Sequence, residues 1–377
     1  MAALRLTVAA PNVCPPVTGD QALMAARAGA AWIENNQLAD GGYVYEHNVE
    51  SGEDVPGYNV VRHAGVTMSL YQLAAEGDLS VMPAADRGLE WMLDNLYEHD
   101  DWVALEDPAD RSVRLGSSSL MLASLIHRRL ATDDTQYDET MKQLARGLLV
   151  LQLEDGAFLN RWDRNAQQPV AGERSLYATG EAFWTLTLMH RLFPGEGWDE
   201  PAWKTADYLA LERDDYEELD FPPWADQWAS YGLGEMADWG LEDHHITYAR
   251  SLAGRFGLLV RAESQRDFGG WSKRLHGPTA RAAGMGTWVE GMQALHHLAT
   301  VDPRMADLED DLAERIECAA GMLVERQWTA EDAAGAPVPI RAEGGWFDEG
   351  ITRMDDQQHA LSGLLYAAPI IDARNAE

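Results

Sequence analysis

Cysteine, lysine and long apolar runs are the scarce features of this chain. Its two cysteines, Cys14 and Cys318, are too few for a disulfide framework or a thiolate-rich zinc site, and whether they pair with each other stays open. Lysine occurs only as Lys142, Lys204 and Lys273, which leaves 29 basic side chains against 62 acidic ones and a net charge of −33. A surface so negative repels phosphate backbones, so nucleic acid is disfavoured as a partner. The same charge suits a very soluble protein adapted to high salt, where screening relieves self-repulsion. No stretch approaches 18 apolar residues, and no membrane-spanning helix is expected. The first 16 residues carry one arginine and an apolar stretch broken by Pro11, Pro15 and Pro16. That is a poor signal peptide, and the expectation is a soluble, cytoplasmic protein. His-Glu-x-x-His, Walker and Rossmann patterns are all missing, so no cofactor and no transition metal is expected. Calcium among the acidic loops, and the oligomeric state, stay open.

What is present is helical periodicity of two alternating kinds. Asp20–Asn36, Ala84–His99, Tyr137–Leu153, Glu200–Glu212, Glu242–Glu263 and Met305–Trp328 are amphipathic, with one charged face. Asn59–Ala75, Gly116–Arg129, Tyr177–Leu192, Asp226–Ala237, Gly286–Thr300 and Asp355–Ala368 are apolar nearly all round and rich in small residues. A helix apolar on every side must be enclosed, whereas a one-sided helix lies against it and faces water. Six outer–inner pairs in strict alternation follow, repeating at intervals of about 55–70 residues. Residues 1–19 read as an N-terminal extension and 20–377 as one domain.

Three outer helices are followed by the pattern Gln-x3-Gly-x-aromatic: Gln37…Gly41-Gly-Tyr43, Gln152…Gly156-Ala-Phe158 and Gln265…Gly269-Gly-Trp271. A broken fourth copy pairs Gln327 with Gly344-Gly345-Trp346 after an insertion. Glycine there ends a helix in the left-handed conformation, and the aromatic pins the turn. The alternation and these turns resemble the all-α (α/α)6 toroid of six-hairpin glycosidases, polysaccharide lyases, sugar epimerases and terpenoid cyclases. The Gln–Trp-like turns themselves are similar to those of the cyclases. The resemblance implies a ring of inner helices inside a ring of outer ones, with an open helical array as the alternative. Six long loops lead into the inner helices, and loops of that length are usually functional, so the site is expected where the inner N-termini converge.

The candidate residues lie at those N-termini. Arg62 and His63 open the first inner helix after Tyr58 and Asn59; a buried arginine there needs an anion, either a partner carboxylate or a substrate. Arg353, Asp355 and His359 open the last, with Asp355 and His359 four apart on one face. Ring closure would make these two groups neighbours. Glu181 and Glu290 sit on other enclosed helices, where a carboxylate needs a partner or a raised pKa. Glu181, Asp355 and His63 are the catalytic candidates. Tyr58, Asn59, Arg62, Tyr177, Trp228, Trp288, Glu290, Trp346, Arg353 and His359 are the substrate-binding ones, with aromatics as stacking walls for sugar rings.

Two carboxylates flanking a sugar suit glycoside hydrolysis, the leading expectation. A uronate lyase or sugar epimerase on the same scaffold is an alternative, since Tyr58, Asn59, Arg62 and His63 match the residue types of toroidal lyases. A terpenoid cyclase or prenyltransferase is another. Asp355-Asp-Gln-Gln-His359 is similar to the His-bearing inner helix of prenyltransferases, but their zinc cysteine and the cyclases' Asp-x-Asp-Asp motif are absent. A non-catalytic glycan or peptide binder is the last.

Overall fold

The computed structural model describes residues 11–174, 177–216, 225–266 and 277–376. Twelve helices of nine residues or more alternate along the described residues. The outer ones are α1 (Gly19–Asn35), α3 (Met82–Leu93), α5 (Asp138–Leu149), α7 (Asp199–Leu211), α9 (Asp243–Arg266) and α11 (Glu309–Arg326). The inner ones are α2 (Val60–Ala75), α4 (Leu115–Thr132), α6 (Ala178–Leu192), α8 (Gln227–Glu235), α10 (Ala282–Val301) and α12 (Met354–Asn375). Each inner helix packs on the next, and α12 packs back on α2, so the inner ring closes. The architecture is an (α/α)6 toroid.

Sequence dictates which helix goes where. In α5 the buried positions Met141, Leu144, Ala145 and Leu148 form one stripe, and the remaining faces reach solvent. In α6 every residue from Ala178 to Met189 is buried. Glycines let the inner helices approach closely. A Cβ on Gly286 of α10 would lie 2.3 Å from the backbone carbonyl carbon of His359 on α12.

The Gln-Gly-aromatic turns tie the outer ring together. Gln37 Nε2 donates to Ala84 O at 2.9 Å, Gln152 Nε2 to Pro201 O at 2.9 Å, and Gln327 Nε2 to Ala25 O at 2.8 Å. Each clamp therefore grips the first half of another outer helix: α1 grips α3, α5 grips α7, and α11 grips α1. Gly41, Gly156 and Gly344 then lie with positive φ against the carbonyl three residues further along, of Arg87, Lys204 and Ala28. The copy that looked broken in sequence is thus the one that closes the outer ring. The Gln265 copy has its Gly269 and Trp271 outside the described residues.

Several boundaries differ from expectation. The second outer helix stops at Leu93, because Leu96–His99 (β3) turns back to pair with Trp102–Leu105 (β4). The fourth inner helix is shorter than its pattern: Asp226 caps it by accepting from Ala229 N, and it ends at Glu235. The fifth starts earlier, at Ala282. Among the described residues eight short strands form three small sheets. Val113–Arg114 (β5) pairs with Arg161–Asp163 (β6), which pairs with Gln168–Pro169 (β7). Glu46–Asn48 (β1) lies between Glu53–Val55 (β2) and Ile351–Arg353 (β8), joining the first and last loops. Strands β5 and β8 run directly into α4 and α12, and so aim the first turns of those helices.

The two cysteines pair. Cys14 and Cys318, 304 residues apart in sequence, form a disulfide that pins the segment before α1 to α11. Val13 N also donates to Ser264 O at the end of α9. No described helix is long and apolar enough to cross a membrane.

Candidate active site

A cavity of about 630 Å³ opens at the N-terminal end of the inner ring. Of the residues named from sequence, it brings together Asn59, Arg62, Tyr177, Glu181, Trp228, Trp288, Arg353, Asp355 and His359. The ring order places α6 opposite α12, so Glu181 faces Asp355 and His359 across the cavity.

Asp355 sits in the first turn of α12. The capping role belongs to its neighbour Asp356, which accepts from Arg353 N at 3.0 Å and from Ala283 N at 3.1 Å. That leaves Asp355 for the cavity. Its Oδ2 lies 3.2 Å from Arg62 Nη2, Arg353 Nε lies 3.4 Å from Oδ1, and Oδ1 accepts no hydrogen bond. Arg62 also donates to the Tyr45 hydroxyl at 2.6 Å. The half-buried Arg62 thus has its partner carboxylate, contributed by the last helix to the first.

Glu181 is buried on α6, and its Oε2 has no hydrogen-bond partner. Burial pushes its carboxyl up to about 8; the charge of Asp226 acts in the same direction and His359 only partly opposes it. At neutral pH it holds a proton. Gly116 on α4 makes room for this carboxyl, since a Cβ there would stand 2.5 Å from Oε2.

His359 is oriented by Glu290 of α10, whose Oε2 lies 2.8 Å from Nδ1. Burial alone would lower the imidazole pKa, but the Glu290 carboxylate, with Asp355 further off, more than offsets that and raises it. With Nδ1–H committed to Glu290, Nε2 is the nitrogen left for a ligand. Glu290 is fully buried and does not line the cavity; it is a positioning residue behind His359.

Three further expected site residues also lie away from the cavity. His63 is fully buried under α3, stacked on Trp91 with ring centres 4.3 Å apart. Its Nε2 donates to Gly88 O at 2.9 Å, and its Nδ1 accepts from the Tyr58 hydroxyl at 2.6 Å. Tyr58 in turn accepts from Tyr43 N. Every proton in this chain is assigned, and burial lowers the His63 pKa to about 4, so the ring is a neutral structural link. Tyr58 is consumed by that link. Trp346 is the pinning aromatic of the α11 turn, buried and donating to Leu323 O at 2.8 Å.

Arg114, Asn160, Gln227, Thr287 and Gln358 also line the cavity and were not singled out from sequence. A signal for Arg114 did exist: Arg114, Arg281 and Arg353 each immediately precede an inner helix.

Among the described residues one trio, Asp207, His244 and His245, has metal-ligand spacing. His245 Nδ1 accepts from Glu242 N at 3.2 Å, which puts the ring proton on Nε2, the atom nearest Asp207. A metal would need that nitrogen bare, so the trio is better suited to capping α9 than to binding an ion.

No family model matches the chain, and no curated protein matches it. Among solved structures it is similar to a cellobiose 2-epimerase from Spirochaeta thermophila, with 13% identity over 91% of this chain and 93% of that one, TM-score 0.61. It is also similar to a glycoside hydrolase family 76 mannosidase from Bacteroides thetaiotaomicron, with 12% identity over 94% and 100%, TM-score 0.59. A D-mannose isomerase matches at 10% identity over 93% and 97%, TM-score 0.59. At these identities the likeness establishes the toroid fold.

Proposed function

We propose that the protein is a carbohydrate-active enzyme that hydrolyses a glycosidic bond in an oligo- or polysaccharide. The observation that carries this reading is Glu181: a buried carboxyl, protonated at neutral pH, with a bare oxygen, facing the arginine-held carboxylate of Asp355 across one cavity. Glu181 donates its proton to the departing glycosidic oxygen, and Asp355 takes a proton from the attacking water or attacks the sugar itself. Trp228, Trp288 and Tyr177 offer ring faces for pyranose stacking, and Arg62 and Arg353 hold Asp355 in place. Neighbouring toroids that act on mannosides and cellobiose support a sugar substrate.

A second reading, sugar epimerisation or isomerisation, is favoured by the Glu290–His359 pair. A histidine steadied at Nδ1 with Nε2 left over can abstract a proton next to a carbonyl. Mannan, mannobiose, cellobiose and mannose incubated in deuterated water separate the two by NMR. Hydrolysis releases reducing ends without carbon-bound deuterium, whereas epimerisation or isomerisation exchanges the proton at C2. Absence of both from a broad glycan panel would sink the catalytic reading. The Cys14–Cys318 bridge supports an oxidising compartment over the cytoplasm.

A further inference from the structure

The toroid has a second cavity, of about 410 Å³, at the opposite end of its axis, where the C-terminal halves of all six inner helices meet. It shares no lining residue with the first cavity. The floor between them includes Trp184, stacked on Trp228 of the front cavity at 5.5 Å and on Tyr231 at 4.9 Å. His127 meets the edge of Trp184 at 5.7 Å, and Tyr366 completes the aromatic lining.

Carboxylates outnumber arginine at this end, two to one. Helix C-termini carry partial negative charge, and those of the first five inner helices converge here. Glu76 and Glu235 line the cavity; Arg191, its one arginine, is paired with Glu235 at 2.9 Å. His127 is buried, and its pKa is lowered to about 4 by that burial, so it adds no positive charge at neutral pH. Buried donors are also left over: Gln72 Nε2 and Trp184 Nε1 have no hydrogen-bond acceptor. Anions are therefore rejected. A cation is drawn both by the carboxylates and by the ring faces, and the spare donors suit an oxygen on the same molecule.

We infer that this rear cavity binds a small organic cation, an ammonium or quaternary ammonium compound bearing a hydroxyl or similar acceptor, independently of the front site. The ammonium sits among Trp184, Tyr231 and Tyr366 within reach of the Glu76 and Glu235 charges. Its oxygen accepts from Gln72 or Trp184.

Isothermal titration of the full chain at low salt tests this with choline and tetramethylammonium, using uncharged 3,3-dimethylbutan-1-ol as the isosteric control. The expectation is saturable one-to-one choline binding, about tenfold or more tighter than the neutral isostere. Tyr366→Leu should weaken it by about tenfold or more, since it removes a wall of the aromatic lining. If that variant unfolds, Glu235→Gln decides, because it leaves Arg191 facing the cavity unpaired and should abolish choline binding. Asp355→Asn, in the front cavity, should leave choline affinity unchanged. Phosphocholine should bind more weakly than choline; equal affinity would overturn the assignment to a free cation in favour of a lipid headgroup. No saturation with either cation, parity between choline and its neutral isostere, or loss of binding in Asp355→Asn but not in the rear variants would each overturn the inference.

Discussion

Replacing Glu181 by glutamine should make the protein more stable and catalytically poor at once. The carboxyl has a folded-state pKa of about 8 against an ordinary value of 4.5, chiefly because burial disfavours its charge. Between those two pH values the unfolded chain has lost the proton and the folded chain keeps it. The folded state then binds more protons, and stability falls as pH rises through that window. Each unit of the gap corresponds to about 1.4 kcal/mol, so the penalty is near zero at pH 4, about 3 kcal/mol at pH 7 and about 5 kcal/mol at pH 9. Glutamine has nearly the same shape and no charge to desolvate, so Glu181→Gln should recover those amounts at each pH. Turnover should fall by about 10²–10⁴-fold with loss of the acid. Wild-type activity itself should decline above about pH 8, where Glu181 gives up its proton. The assay is urea unfolding of both proteins at pH 4, 7 and 9, beside their rates on the best substrate found. Identical pH slopes for the two proteins, or a variant less stable at pH 7, would refute the assignment of a buried neutral carboxyl. Full activity in a folded variant would refute its role as the acid.

His63→Ala should unfold about 1–3 kcal/mol more easily, because it strands the Tyr58 hydroxyl and the Gly88 carbonyl; if its folded fraction turns over more than 100 times slower, the structural reading of His63 is wrong. Gly344→Ala introduces a Cβ 2.4 Å from Ala28 O at a φ of 82° and should destabilise by about 1–3 kcal/mol in denaturant titration, whereas no change would remove the ring-closing role of that turn. With 62 acidic groups against 29 basic, the melting temperature should climb with NaCl, and a flat profile up to molar salt would end the salt-adaptation argument.

Two levels of the protein were legible in its residues. Alternation of one-sided with all-round apolar helices required an enclosed inner layer, and the repeated Gln-Gly-aromatic turn marked where outer helices end. Placement of the site at the inner N-termini followed from loop length and helix order. Nine of the fourteen polar and aromatic residues that line the cavity were named that way, because polar groups on the first turn of an enclosed helix have few other places to go. The miss at His63 has a plain cause. An inner helix apolar on every side has no polar stripe to show which residue faces the axis. Arg62 and His63 are adjacent, so one helical step puts Arg62 in the cavity and His63 under α3. Asp355 and Asp356 divide the same way between cavity and cap.

Pairings across the ring were decided by tertiary structure alone. Glu290 meets His359 over 69 residues, Arg62 meets Asp355 across the junction of first and last helices, and Cys14 meets Cys318 over 304. Local pattern determines which segments are buried, since burial is a property of composition and period. Which buried group faces which is fixed only when the ring closes, because that step sets the rotation of each helix about its own axis.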